Sequence, residues 1–399
     1  MVSESKQIAI GFFPPQDKSW MGGVNYYCNL FQALSKHSDN SFVAFAFVGK
    51  KMPKDIIALY EQCDITVIKT SIFDRFSFSW FVDRILWKVF GKRFILNNLL
   101  KKHSIALISH IQSDMAVDCR KIGWLPDFQH LHLPGMFSER ELVDRDKSFR
   151  SVASTSDAVI LSSYDALNDF NKFFPKYAHK GRVAQFVSQP PLFYSELSAE
   201  DRDALSNKYL IDRPYIYVPN QFWRHKNHQL LLDAVLLSKK QGANPLVLCS
   251  GLMEDYRDNS YVDSLVKYVS DNGLESNVKF LGLIPYKDVF SLIKFSLFVL
   301  NPSKFEGWSS TVEECKSVGK MMLLSDLAVH KEQYPDAEFF SVDSPESLSE
   351  KIVTLTSETY QLPIVDFPSL EIRTQNYYKV YVDVYSQVLL LDKARICCS

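Results

Sequence analysis

No long apolar run, no leader-like start and no excess of charge occur in this sequence, and each absence removes a class of function. Without the run of ~20 apolar residues that a bilayer requires, no segment is expected to span one. The first residues, MVSESKQIAIGFF, pass straight into a strand-like segment without the regions of a secretory leader, so a cytoplasmic location is expected. Lys and Arg number 45 against 46 Asp and Glu, a net charge of −1, which argues against a nucleic-acid or polyanion partner. The seven cysteines (Cys28, Cys63, Cys119, Cys249, Cys315, Cys397, Cys398) are odd in number, scattered and never spaced as C-x-x-C. Neither a zinc site nor a disulfide framework is expected from them. Internal repeats and low-complexity segments are absent too.

What remains is a chain long enough, at 399 residues, for two domains, with 46% hydrophobic residues to fill two cores. Short apolar runs alternate with amphipathic stretches, the pattern of βα units and parallel sheets. Strands are expected at 7–13, 42–49, 65–69, 105–109, 158–162 and 183–187. A second series follows at 215–219, 245–250, 278–282, 296–302, 321–325 and 338–342. Between them lie the stiff Pro190-Pro191 pair and a short charged helix at 198–208. An α/β protein of two Rossmann-like domains follows: 1–190, a linker at 191–213, 214–370, and a last helix within 371–399 that closes the molecule.

Aromatic residues are plentiful, 29 Phe and 19 Tyr. The segment 74–103 stands apart, with Phe, Trp, Ile and Leu set among seven Lys and Arg against Asp74 and Asp83 alone. Such a segment is either a helical pair packed on the sheet with a solvated basic face, or an interfacial element for an anionic membrane.

The segment 296–319, SLFVLNPSKFEGWSSTVEECKSVG, carries the clearest chemistry. A buried strand ends at Asn301-Pro302, a loop bears Glu306, and Ser310 with Glu313 forms the S-x-x-E pattern of a capped helix start. A helix N-terminus beyond a parallel strand offers backbone amides and a positive dipole end to a diphosphate, with Ser309 and Ser310 beside it. Glu306 and Glu314 are placed to bracket a nucleotide sugar. Lys226, just ahead of a second helix at 227–240, can meet phosphate oxygens and stabilise the charge of a departing nucleoside diphosphate. Gly22-Gly23, between the first strand and its helix, permit close backbone approach. Asp144-Arg145-Asp146 has a D-x-D spacing but sits in a charged helical run, where residues two apart face different sides, so it is read as a solvated face.

Glu306, Gly307 and Glu314, preceded by Pro302-Ser303, resemble the E-x7-E motif of family 4 glycosyltransferases, the retaining enzymes of GT-B fold. The resemblance is tight from about 215 to 335. It implies two Rossmann-like domains with parallel sheets facing a central cleft, a nucleoside-diphosphate sugar as donor and a glycan or lipid-linked glycan as acceptor; with Asp144-Arg145-Asp146 read as a solvated face, no essential metal or other cofactor is expected. It assigns Glu314 to the ribose, Glu306 to the sugar, and Lys226 to the diphosphate. Where the family has an Arg before that Lys, this chain has Gln221, and Arg224 is the nearest substitute. Gly22-Gly23 resemble the family's glycine loop. Residues 122–141 resemble its V-H-D segment, with Asp127 and Pro134 matching, Pro126 at the histidine position, and His130 further on as a cleft residue. Bacterial surface polysaccharide assembly is the expected setting. A nucleotide-sugar epimerase of the same architecture, and a non-catalytic subunit that binds a partner transferase, are the alternatives.

Overall fold

A computed structural model describes residues 7–17, 20–37, 41–255, 257–258, 260–357 and 367–396; Cys397 and Cys398 lie outside them. The chain divides into two compact units. Unit 1 comprises residues 1–128, 138–187 and 370–399, and unit 2 comprises 129–137 and 188–369.

Elements alternate almost strictly. The first series is β1 (Ile8–Phe12), α1 (Met21–Lys36), β2 (Phe42–Val48), α2 (Lys54–Glu61), β3 (Thr66–Lys69), α3 (Phe78–Phe90), α4 (Phe94–Lys102), β4 (Ile105–Ile111), β5 (Arg120–Leu125), α5 (Gln129–His132), α6 (Glu139–Thr155), β6 (Ala158–Leu161), α7 (Tyr164–Phe173) and β7 (Gly181–Val183). The second is α8 (Ala199–Tyr209), β8 (Tyr215–Val218), α9 (His228–Lys240), β9 (Leu246–Ser250), α10 (Tyr261–Asp271), β10 (Val278–Gly282), α11 (Tyr286–Phe295), β11 (Val299–Asn301), α12 (Ser310–Ser317), β12 (Met322–Ser325), α13 (Ala328–Gln333), β13 (Glu338–Phe340), α14 (Pro345–Leu355) and α15 (Leu370–Ile396).

Unit 1 holds a parallel sheet in the order β3-β2-β1-β4-β5-β6-β7, and unit 2 one in the order β10-β9-β8-β11-β12-β13. Every pair described is parallel, as the α/β expectation required. Apolar runs without alternation mark strands covered on both faces, and the second sheet fits. Ile216, Val218, Val247 and Cys249 enter one buried cluster, while Tyr215, Tyr217, Leu246 and Leu248 enter another on the opposite face.

The apolar runs omit β5, whose sequence RKIGWL opens on two cations and contains a glycine. Gly123 is required there by packing. A Cβ would sit 2.4 Å from Val152 Cγ1 and 2.8 Å from Ser156 Oγ, both at the end of α6. Gly123→Ala is therefore expected to destabilise unit 1 by about 1–3 kcal/mol through overpacking, read as a lower urea midpoint at unchanged slope. The run 183–187 is mostly irregular, since β7 covers only Gly181–Val183.

Although α15 follows the second sheet in sequence, it belongs to unit 1. Tyr377, Tyr381 and Tyr385, four residues apart, bury one face of it. Tyr381 Oη lies 3.1 Å from Tyr26 Oη and 3.2 Å from His110 Nε2, so a chain of polar groups fixes the helix to α1 and the end of β4. Asp144 and Asp146 lie within α6 and pair with Arg140 and Arg150 one turn away, at 3.8 and 3.3 Å.

Candidate functional site

The second sheet changes its direction of growth between β8 and β11. Open α/β sheets bind ligands beyond the carboxyl ends of their strands at such a point. Two loops leave there, 219–227 ahead of α9 and 302–309 ahead of α12. Bonds tie the first loop to the second and to the end of β11. Asn220 Nδ2 donates to Asn301 Oδ1 at 3.2 Å, Lys304 N donates to the His225 carbonyl at 2.8 Å, and Lys226 Nζ meets Glu306 Oε1 at 2.6 Å.

Local chemistry explains how each loop holds its shape. Asn227 adopts φ +59°, a left-handed conformation that Asn tolerates, and turns the chain from the 3-10 turn at Arg224–Lys226 into α9. Asn301, the last residue of β11, is fully buried and works in both directions. Its Oδ1 accepts from Ser303 N at 3.3 Å, while its Nδ2 reaches Ser309 Oγ at 3.2 Å and Glu306 Oε1 at 3.4 Å. Ser303 Oγ lies 2.6 Å from both Asn301 Oδ1 and Glu306 Oε1, so its single proton serves one or the other.

The two glutamates stand in opposite electrostatic states. Burial by itself would raise the Glu306 carboxyl, but the adjacent Lys226 charge and bonds from Lys226 and Ser303 hold it down to about 2. Glu314, one turn inside α12, is half-buried and makes no hydrogen bond or ion pair among the described residues. Burial pushes its carboxyl up to about 7. One carboxylate is firmly ionised, and the other titrates near neutrality. Strong perturbation of this kind concentrates at functional sites.

The start of α12 departs from expectation. Its N-cap is Ser309, and no side chain caps the first amides. Ser309 Oγ is taken by Asn301 Nδ2 instead. The anticipated Ser310–Glu313 capping box does not form, because Glu313 is buried against Lys316 Nζ at 2.8 Å and Gln333 Nε2 at 3.1 Å. Gln333 clasps Ser309 from both sides, accepting from its N–H at 3.0 Å and donating to its carbonyl at 2.9 Å. A helix start positioned by its neighbours and uncapped by any side chain keeps amides available to an anion.

The other expected residues are more dispersed. Gly307 lies beside Glu306 in the loop, and Ser310 is the exposed first residue of α12. Arg224 is engaged elsewhere: its backbone N donates to Asp255 at 2.9 Å, and its guanidinium pairs with Asp258 and covers the Tyr261 ring at 5.1 Å. Gln221 leaves its Oε1 buried without a hydrogen-bond partner. Gly22 and Gly23 belong to unit 1, in the first turn of α1 rather than in a loop ahead of it. A Cβ on Gly23 would come within 2.5 Å of the Trp20 indole. Asp127 follows β5 in unit 1, whereas His130 is buried in α5 of unit 2. The segment 129–137 packs close to the Glu306 loop, with the His132 ring 5.3 Å from that of Phe305.

Lys226, Glu306 and Ser309 thus meet around Asn301, and Glu314 stands one turn along the same helix. Asn301, Ser303 and Gln333 are the supports that sequence reasoning missed. Asn301 and Ser303 flank the proline of the quoted motif, which is a usable signal. Gln333 stands 24 residues beyond its partner Ser309 and gives none.

Residues 201–362 match the family described as Glycosyl transferases group 1. No curated protein sequence matches the chain. Among solved structures, a glycosyltransferase from Rickettsia africae is similar over 98% of this chain and 98% of its own, with TM-score 0.67 and 14% identity. HepE of Anabaena, in complex with UDP and glucose, is similar over 98% of this chain and all of its own, with TM-score 0.64 and 15% identity. The apo lipopolysaccharide outer core galactosyltransferase WaaB covers 96% of this chain and 99% of its own, with TM-score 0.57 and 14% identity. These likenesses show the fold, the two-sheet α/β architecture of GT-B glycosyltransferases.

Proposed function

We propose that this chain, a GT-B protein with a group 1 glycosyl transferase domain at residues 201–362, moves a sugar from a nucleoside-diphosphate sugar to a glycan or lipid-linked glycan with retention of configuration. The observation that carries the proposal is the Lys226–Glu306 pair at the switch point, beside an α12 start that no side chain caps. On this reading the diphosphate occupies the α12 amides and draws Lys226 from Glu306 to its oxygens. The charge that develops as the bond from the anomeric carbon to the diphosphate breaks is met by a cation and aligned dipoles already in place. No metal is then essential. The acceptor hydroxyl oxygen bonds to the anomeric carbon on the face the diphosphate leaves, and its proton passes to a leaving-phosphate oxygen. Glu306 accepts from the sugar hydroxyls and Glu314 from the ribose. Gly307, Ser309 and Ser310 line the phosphate side.

The neighbour HepE holds UDP and glucose, so UDP-sugars lead the test. Purified protein is heated with a panel of nucleoside diphosphates and their sugars. A ligand that binds only the folded state at about 100 times its Kd adds about 2.7 kcal/mol to stability and raises the melting temperature. One nucleotide should stand out, and diphosphate should be released faster when acceptor is added. Sugar inversion without acceptor would mark an epimerase. Binding without turnover would mark a non-catalytic subunit. No shift with any nucleotide would overturn the donor site itself. Work in a bacterial cytoplasm on a surface polysaccharide is the setting this chemistry fits.

A further inference from the structure

Helix α3 is built inside out. Its only fully buried residue is an acid, Asp83, whereas seven large apolar side chains between residues 76 and 94 are exposed. The burial of Asp83 has a structural cause. Its carboxylate takes Arg93 Nε at 2.6 Å and accepts from the backbone amides of Ile95 and Leu96 at 3.2 and 3.3 Å. These are two of the first amides of α4, whose own N-cap, Arg93, supplies no side-chain bond. Asp83 therefore caps the neighbouring helix and fixes the rotation of α3 about its axis.

With Asp83 inward, the outward face is set by helical spacing: Phe81, Arg84, Ile85, Lys88 and Val89 stand at i, i+3, i+4, i+7 and i+8. All five are exposed. Phe78 is 83% exposed at the start of the helix. Just before it, Phe76 takes φ +68° and is 77% exposed, an uncommon backbone state for a bulky residue. The other acid of the segment, Asp74, is also turned in, accepting from the backbone amides of Lys50 and Lys51 at 3.2 and 2.9 Å. Within 75–94 the one acid is the inward-facing Asp83, so no acid of this stretch answers Arg75, Arg84, Lys88 and Lys92 on this surface; Asp118 lies 3.8 Å from Lys92.

We infer that α3 lies in the plane of an anionic lipid surface, its Phe, Ile and Val tips among the acyl chains and its Arg and Lys among the phosphates. Cations interleaved with apolar side chains on one helix face suit an interface whose apolar layer lies directly beneath an anionic one. A second copy of this chain would set Arg84 and Lys88 against their own equivalents. This inference deepens the proposal above, since a surface-bound transferase is the form that reaches a lipid-linked acceptor. It rests on that proposal for its purpose only.

The test is flotation of the full chain with vesicles of phosphatidylcholine alone and with phosphatidylglycerol added. The chain should float with the anionic vesicles, less so as salt shortens the screening length. Phe78→Ser with Phe81→Ser should lower the bound fraction about tenfold on both sides of that salt range. Arg84→Glu with Lys88→Glu should remove the preference for phosphatidylglycerol. Leu192→Ser, at a 93% exposed site in unit 2, should change nothing. Failure to float with anionic vesicles, or unchanged flotation of the Phe variants with their melting temperature intact, overturns the inference. So does a wild-type dimer that those variants dissociate. Nucleotide-induced thermal shifts in the same α3 variants should match wild type, so loss of one result leaves the other standing.

Discussion

Lys226→Met should lower donor turnover by about 10²–10³-fold, mainly in kcat, because a fixed cation at the leaving diphosphate acts where charge develops. The same change should destabilise the protein. Both members of the pair are well buried, with side chains 15% and 9% exposed, and removing one partner of a buried pair costs about 3–5 kcal/mol. The two effects separate in a double variant. Lys226→Met with Glu306→Gln removes the uncompensated charge and should recover much of the stability while turnover stays low. Linkage gives a third signature. Glu306 has its folded value held near 2, below the ordinary 4.5, so its contribution is present above about 4.5 and is lost as pH falls toward 2. Urea titrations from pH 5 to pH 2 should show that loss in wild type and a much shallower one in Lys226→Met. Full turnover by Lys226→Met would remove the residue from the site and leave the pair a purely structural bond.

Much of this site was legible because its signals are local. A strand, a Pro-Ser pair, a glycine and a helix start mark the loop of Glu306 without any knowledge of tertiary contact. Strand existence was legible for the same reason, since runs such as YIYV and LVLC are covered on both faces. What could not be read was which side chain answers which. Ser310 and Glu313 satisfy the spacing of a capping box, yet Gln333, brought in by α13, clasps Ser309 and draws Glu313 inward. Arg224 stood in a good sequence position to replace an arginine, but Asp258 and Tyr261, from a segment 34 to 37 residues on, engage its guanidinium. The inverted α3 lay equally beyond reach. Its composition is visible in sequence, but its rotation is set by the contact of Asp83 with α4.

Glu314→Gln should make the protein more stable near pH 8 and a poorer binder of nucleotide. Its carboxyl titrates at about 7 in the folded chain against an ordinary 4.5, so the folded state holds the proton more tightly than the unfolded one. Stability then falls as pH rises from about 4.5 to 7 and levels off above, because the unfolded state binds fewer protons in that window. Gln cannot ionise and should escape the loss, so the two proteins should have similar urea midpoints at pH 4 and separate by pH 8. Nucleotide binding should move the other way. If the ionised carboxylate accepts the ribose hydroxyls, wild-type affinity should rise about tenfold between pH 6 and pH 8, following the ionised fraction of a group near 7. Calorimetric titration of Glu314→Gln should show weaker binding with no rise assignable to this position, since an amide offers one neutral acceptor where the carboxylate offers two charged oxygens. Opposite signs for stability and affinity are what a residue retained for binding produces. A variant that loses stability at pH 8 and binds nucleotide as wild type does would place Glu314 among the structural residues of α12 instead.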